Sequence, residues 1–103
     1  MQVTRKILKS TTFQRWLTGL GDTRTRDLIV ARIDRLSTGN AGKYRVLDDG
    51  IRELKVNYGP GYRIYYTRVD SELLLLIAGG AKSTQSADIK LAANIWKEWR
   101  KQL

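Results

Sequence analysis

The chain has 103 residues, with 19 Lys plus Arg against 10 Asp plus Glu, a formal net charge of +9, no histidine and no cysteine. A chain of this length holds one core, and residues 1–103 are expected to form a single domain without disulfides or thiolate metal sites. The missing histidine removes the commonest metal ligand and the usual general base near neutral pH, so any catalysis falls to Lys, Arg, Tyr, Asp or Glu.

At 42% hydrophobic and 28% charged residues the composition is that of a globular protein. The positive excess attracts polyanions: nucleic acid first, then an acidic protein, then a membrane surface. The longest apolar run, Leu73 to Ala78, is too short to span a bilayer, and Met1 to Lys9 holds no signal-peptide core. The expected compartment is the cytoplasm, with no membrane partner.

In chain order, Val3 to Leu8 reads as a short, charged edge strand. Phe13, Trp16, Leu17 and Leu20 share one face of a helix over 11–20, with Thr11 and Gln14 as a capping box and Gly19 and Gly21 as stops. Asp22 starts a second helix that carries Ile29, Ile33 and Leu36 inward and stops at Gly39. So short a link predicts a helical hairpin. Residues 38–50 read as loop, with an extended piece over Tyr44 to Leu47 and a turn at Asp48-Asp49-Gly50. Three strands follow. Arg52 to Tyr58 and Tyr62 to Arg68 alternate around the Gly59-Pro60-Gly61 turn, and Leu73 to Ala78 is apolar throughout, as in a strand buried on both faces. Ser83, Thr84 or Ser86 caps a closing helix whose apolar face carries Ile89, Ala92, Ala93, Trp96 and Trp99 or Leu103. The expected fold is α+β: a short N-terminal strand and helical hairpin, an antiparallel three-stranded meander forming a small sheet, and a closing C-terminal helix.

Strand parity also sorts the chemistry. Leu54, Val56 and Ile64 point to the core. Glu53, Lys55 and Asn57 share the opposite face with Arg63 and Tyr65, and Lys82 emerges beyond the third strand. Cations for phosphate and a ring for stacking suit RNA. Lys55, Arg63 and Lys82 are the candidate catalytic set; Tyr65, Asn57 and Arg52 are candidate RNA contacts; Glu53 is a candidate proton acceptor, or simply an ion-pair partner. RNA cleavage needs a base for the 2′-OH and cations for the charged transition state. Solvent-facing lysines and arginines are also ordinary on any small sheet. Asp88 opens the last helix, where the dipole favours a carboxylate. No dinucleotide fingerprint, P-loop or metal-binding cluster occurs, so neither cofactor nor metal is expected.

Tyr58-Gly59-Pro60-Gly61-Tyr62-Arg63-Ile64-Tyr65-Tyr66, the run Leu73 to Gly80, Lys82-Ser83-Thr84-Gln85 and Asp88-Ile89 together resemble the RelE/ParE superfamily of toxins. The likeness is closest to the HigB-like branch called addiction-module killer protein. Phe13-x-x-Trp16-Leu17 and Arg32-Ile33-x-Arg35-Leu36-x-x-Gly39-Asn40 extend it over nearly the whole chain. The resemblance implies a toxin of a type II toxin–antitoxin pair that cleaves mRNA in the ribosomal A site without a metal. Its implied partners are the ribosome, mRNA and a cognate antitoxin, commonly a helix-turn-helix DNA-binding protein that forms a repressor complex with it on operator DNA. Lys55 matches the family's basic residue on the strand before the turn, Arg63 the arginine of the G-Y-R motif, and Lys82 the position of a second catalytic arginine or lysine. The chain departs from the pattern in two places. Asp88 stands where RelE-type enzymes carry a tyrosine, and the C-terminal histidine and tyrosine of HigB-type enzymes are missing. Lys55 or Glu53 is then left to take the proton. Two other readings are a ParE-like inhibitor of DNA gyrase that cleaves nothing, and a non-enzymatic basic binding module.

Overall fold

A computed structural model describes residues 4–103. The elements in order are β1 (Lys6–Lys9), α1 (Thr11–Gly19), α2 (Thr23–Ser37), β2 (Tyr44–Val46), β3 (Arg52–Val56), β4 (Tyr62–Asp70), β5 (Leu73–Ala81) and α3 (Gln85–Arg100), with short 3-10 turns at Asp48–Gly50 and Lys82–Thr84. The class is α+β, but the sheet is larger than the expected meander. It has five strands in the order β1-β5-β4-β3-β2. It is mixed, because β1 runs parallel to β5 while the other neighbours are antiparallel. The three expected strands form its centre, and two short strands extend its edges. Those edges left little trace in the hydrophobic pattern: β2 is exposed at all three residues and β1 at three of its four. The charged edge strand expected from Val3 is found from Lys6; Val3 lies outside the described residues.

Each sheet face is covered by helix. Phe13 of α1 and Ile29, Ile33 and Leu36 of α2 pack with Leu54, Val56, Ile64, Tyr66, Leu74 and Leu76. On the other face Ala92 and Trp96 of α3 pack with Ile51, Tyr65, Leu75, Ile77 and Ala78. The unbroken apolar run of β5 follows directly: Leu74 and Leu76 serve one layer, Leu75 and Ile77 the other. Each such side chain, once buried, contributes about 1.5–3 kcal/mol.

One irregularity sets what happens next along β5. Tyr65 pairs with Ala78 but Tyr66 pairs with Leu76, so Ile77 is an extra residue in the ladder. This bulge puts Ile77 and Ala78 on the same side, against α3, and inverts the alternation beyond it. Gly79 therefore faces α1, where a Cβ would overlap the Trp16 ring, and Gly80 faces α3, where a Cβ would overlap the Asp88 carboxylate. The glycine pair at this point in the sequence is thus required by packing on both faces.

Local caps differ from the expected ones in detail. Ser10, not Thr11, caps α1: its Oγ accepts from the Phe13 N–H at 2.9 Å and donates to the Ile77 carbonyl, tying the helix start to β5. Asp22 caps α2 as expected, accepting from the Arg24 N–H at 3.1 Å. Thr84 precedes α3 but makes no side-chain cap bond; its hydroxyl donates to Asp88 in the first turn instead. The other end of α3 is held by the Trp96 indole, which donates to the Asp49 carbonyl at 3.2 Å. Among the described residues no helix is long and apolar enough to cross a membrane.

Candidate functional site

The register brings together most of the residues selected by parity. Lys55 lies directly opposite Arg63, and Glu53 opposite Tyr65, across β3 and β4. Arg45 of β2 lies opposite Glu53. Directly paired residues share a face, so Arg45, Glu53, Lys55, Arg63 and Tyr65 all stand on the α3 side. Lys82 joins them from the turn after β5. Its N–H donates to the Gly61 carbonyl at 2.9 Å, and a Cβ on Gly61 would touch both the Arg63 guanidinium and the Lys82 Cβ, each at 3.9 Å. The candidate catalytic cations Lys55, Arg63 and Lys82 therefore converge at one end of the sheet.

That face is not an open platform. The apolar stripe of α3 needs a surface, and α1 and α2 already occupy the other one. Tyr65 is consequently fully buried, which removes it as a stacking ring for a base. Its hydroxyl has no hydrogen-bond partner. Burial first, and the Glu53 carboxylate second, push its pKa well above the ordinary phenol value, so the phenol stays neutral. Arg63 is only 7% exposed. Lys55 and Lys82 are exposed and form the accessible rim.

Glu53 is buried as well, at 1% exposure, and is enclosed by donors. The Gln85 amide donates to its Oε2 at 2.8 Å, Arg45 Nη2 lies 3.2 Å from Oε1 and 3.3 Å from Oε2, and Arg63 Nε lies 3.8 Å from Oε2. A carboxylate so enclosed is a fixed counter-ion for two guanidiniums. The expectation of a proton acceptor at Glu53 is corrected on this geometry, and its ion-pair role is the one observed. Glu53 also explains how Lys55 and Arg63 tolerate direct opposition, since like charges facing each other across a ladder repel.

Two expected RNA contacts separate. Asn57 follows β3 and is exposed beside Lys55. Arg52 shares parity with Leu54, lies on the opposite face, and stacks on the Tyr44 ring at 5.1 Å. It does not join the Lys55 group. Parity alone separates Arg52 from Glu53, and that signal was present in the sequence. Arg45 and Gln85 were not anticipated. Arg45 sits in a strand of three residues, too short to show alternation, and Gln85 acts across a separation of 32 residues.

Arg32, Lys43, Tyr44, Arg45, Lys55 and Asn57 line a cavity of about 320 Å³ with Glu53 at its wall. Arg32 reaches it from α2, donating to the Lys55 carbonyl at 3.3 Å. Four cations against one carboxylate give this cavity a net positive field. Among the described residues no three His, Cys, Asp or Glu side chains gather to hold a metal ion.

A protein of Haemophilus influenzae, described as an uncharacterized protein, is 42% identical over 96 residues, covering 93% of this chain and 97% of the relative. The chain belongs to the family of that protein. No family model matches the sequence.

Proposed function

We propose that the protein is a toxin of the RelE/ParE type, nearest the HigB-like branch, acting in the cytoplasm as a ribosome-dependent mRNA endonuclease. The observation that carries this reading is the convergence of Lys55, Arg63 and Lys82 at the Gly61 turn. Lys55 and Lys82 are free to meet RNA. Arg63, with its Nε 3.8 Å from Glu53 Oε2, is the cation that meets a phosphate oxygen in this reading. Such preorganised cations act on charge that develops in the transition state without having to reorganise. Positioning of the 2′-OH against its phosphate by the ribosome supplies the rest of the rate. The antiparallel run β3-β4-β5, with helices before and after it, supports this reading. The partners in this reading are mRNA, the ribosome and a helix-turn-helix antitoxin, and the toxin–antitoxin complex binds operator DNA.

The test is expression in a bacterial host with ribosome toeprinting. Growth arrest with new mRNA ends in the A site is expected, and Lys55→Ala and Lys82→Ala each relieve it. If both variants arrest growth as the parent does, the site is wrong. One observation favours a second reading, a ParE-like gyrase inhibitor. The only carboxylate among the expected site residues, Glu53, is sealed away, which leaves RNA cleavage with Lys55, a weak base at the ordinary lysine pKa of about 10.4, as the exposed proton acceptor there. Blocked DNA supercoiling with intact mRNA would select it.

A further inference from the structure

We propose that the pocket on the opposite face of the sheet, walled by Arg5, Arg52 and Arg68, binds a single phosphate group. This site is separate from the Lys55 group and does not rest on the nuclease reading.

The pocket lies where the end of α2 and its following turn meet β3, β4 and β5. Its walls are Arg5, Arg52, Arg68, Tyr44 and Tyr66, over an apolar base that includes Leu36 and Leu74. No acidic side chain lines it. Among the described residues none of the three arginines forms a salt bridge, whereas Arg45 and Arg63, on the other face, both engage Glu53. Three guanidiniums facing one cavity without an acid repel one another, and an anion between them relieves that repulsion.

The arginines are also positioned. Arg5 Nε donates to the Ser71 carbonyl at 3.2 Å, and its Nη1 lies 3.9 Å from where a Gly39 Cβ would stand. Arg52 is stacked on Tyr44. Both keep free N–H groups for a ligand, since a guanidinium carries five donors. Tyr66 is buried, which pushes its phenol up and keeps it protonated as a further donor beside Arg52.

Size selects the ligand class. The volume is about 210 Å³. Small-molecule sites that enclose a whole drug-sized ligand run from roughly 300 Å³ upward. This pocket therefore suits one tetrahedral oxyanion with a few waters, not a base and sugar as well. The phosphate is either a free small anion or one group of an RNA backbone passing over the pocket.

The experiment is a titration of the full chain with inorganic phosphate, followed by NMR of backbone amides and arginine Nε–H groups. The expected result is saturable shifts at Arg5, Arg52 and Arg68. Arg68→Gln and Arg52→Gln are each expected to weaken binding about tenfold or more, as for loss of one charge-assisted hydrogen bond. Arg15→Gln, on exposed α1, stays within about twofold of the parent. Should Arg52→Gln lose its fold, Arg52→Lys keeps the charge but not the two-pronged contact and still weakens binding. A second arm titrates a short single-stranded RNA. Weaker RNA binding by Arg68→Gln identifies a backbone phosphate; unchanged RNA binding with weaker phosphate binding identifies a free anion. The proposal is overturned if phosphate moves no signal in the pocket, or if the Arg52 and Arg68 variants bind it as the parent does.

Discussion

The two faces of the sheet are closed by different means. Under α1 and α2 the contact is apolar: Phe13, Ile29, Leu54 and Ile64 are wholly buried with no charge among them. Under α3 the apolar contact covers only part of the surface, and near the start of that helix it gives way to Glu53, Arg63 and Gln85. The first face supplies stability. On the second, a buried ion pair fixes the orientation of a guanidinium at the cost of desolvating both charges, and such pairs add little net stability while being costly to break singly. Burial thus serves cohesion on one side and placement of charge on the other.

The comparison is broken most severely on the apolar face. Phe13→Ala is expected to lower the unfolding free energy by about 3–5 kcal/mol in a urea titration, through lost transfer energy and the cavity left behind. On the polar face, Glu53→Leu strands Arg63 without its counter-ion and should cost about 3 kcal/mol, but adding Arg63→Met should restore most of it. A double variant no more stable than Glu53→Leu alone would show that the two charges are uncoupled. Gly80→Ala is expected to cost about 1–3 kcal/mol from overpacking against Asp88, and Asp88→Ala should recover part of the loss. A full penalty in the Asp88→Ala background would place the strain elsewhere. The smallest effect concerns pH. Tyr65 has its pKa raised in the folded state, so the unfolded chain ionises first and stability falls as pH rises above the ordinary phenol value of about 10. Tyr65→Phe should make that alkaline decline shallower in thermal melts, with little change near neutral pH; an unaltered decline would assign it to Tyr66 or other groups.

Much of this was legible in the sequence because period and parity are strong signals where apolar residues repeat. Phe13 on α1, Ile29 and Ile33 on α2, and the alternation of Leu54 and Val56 each announce the face they bury. The pairing of Lys55 with Arg63 followed from the tight turn between their strands. What stayed hidden depends on what covers a face. Parity put Tyr65 beside Arg63 correctly, but solvent exposure on that side was decided by the docking of α3, 20 or more residues later, which local pattern does not encode. The same holds for Glu53, whose fate as a counter-ion depends on Arg45 from one side and Gln85 from the other. The β5 bulge is also silent in sequence until the glycine pair is set against its two neighbours, Trp16 and Asp88.

The parallel pairing of β1 with β5 has a consequence for the order of assembly. Lys6 finds its partner at Leu73, and the Ser10 hydroxyl finds the Ile77 carbonyl 67 residues away. Closing so long a loop is entropically costly and slow, and local contacts do not offset it until the intervening strands exist. During synthesis the first strand therefore waits, with its backbone unpaired, until about three quarters of the chain has been made. The first strand to be made is then among the last to dock, and a fragment ending before β5 lacks the strand that β1 pairs with.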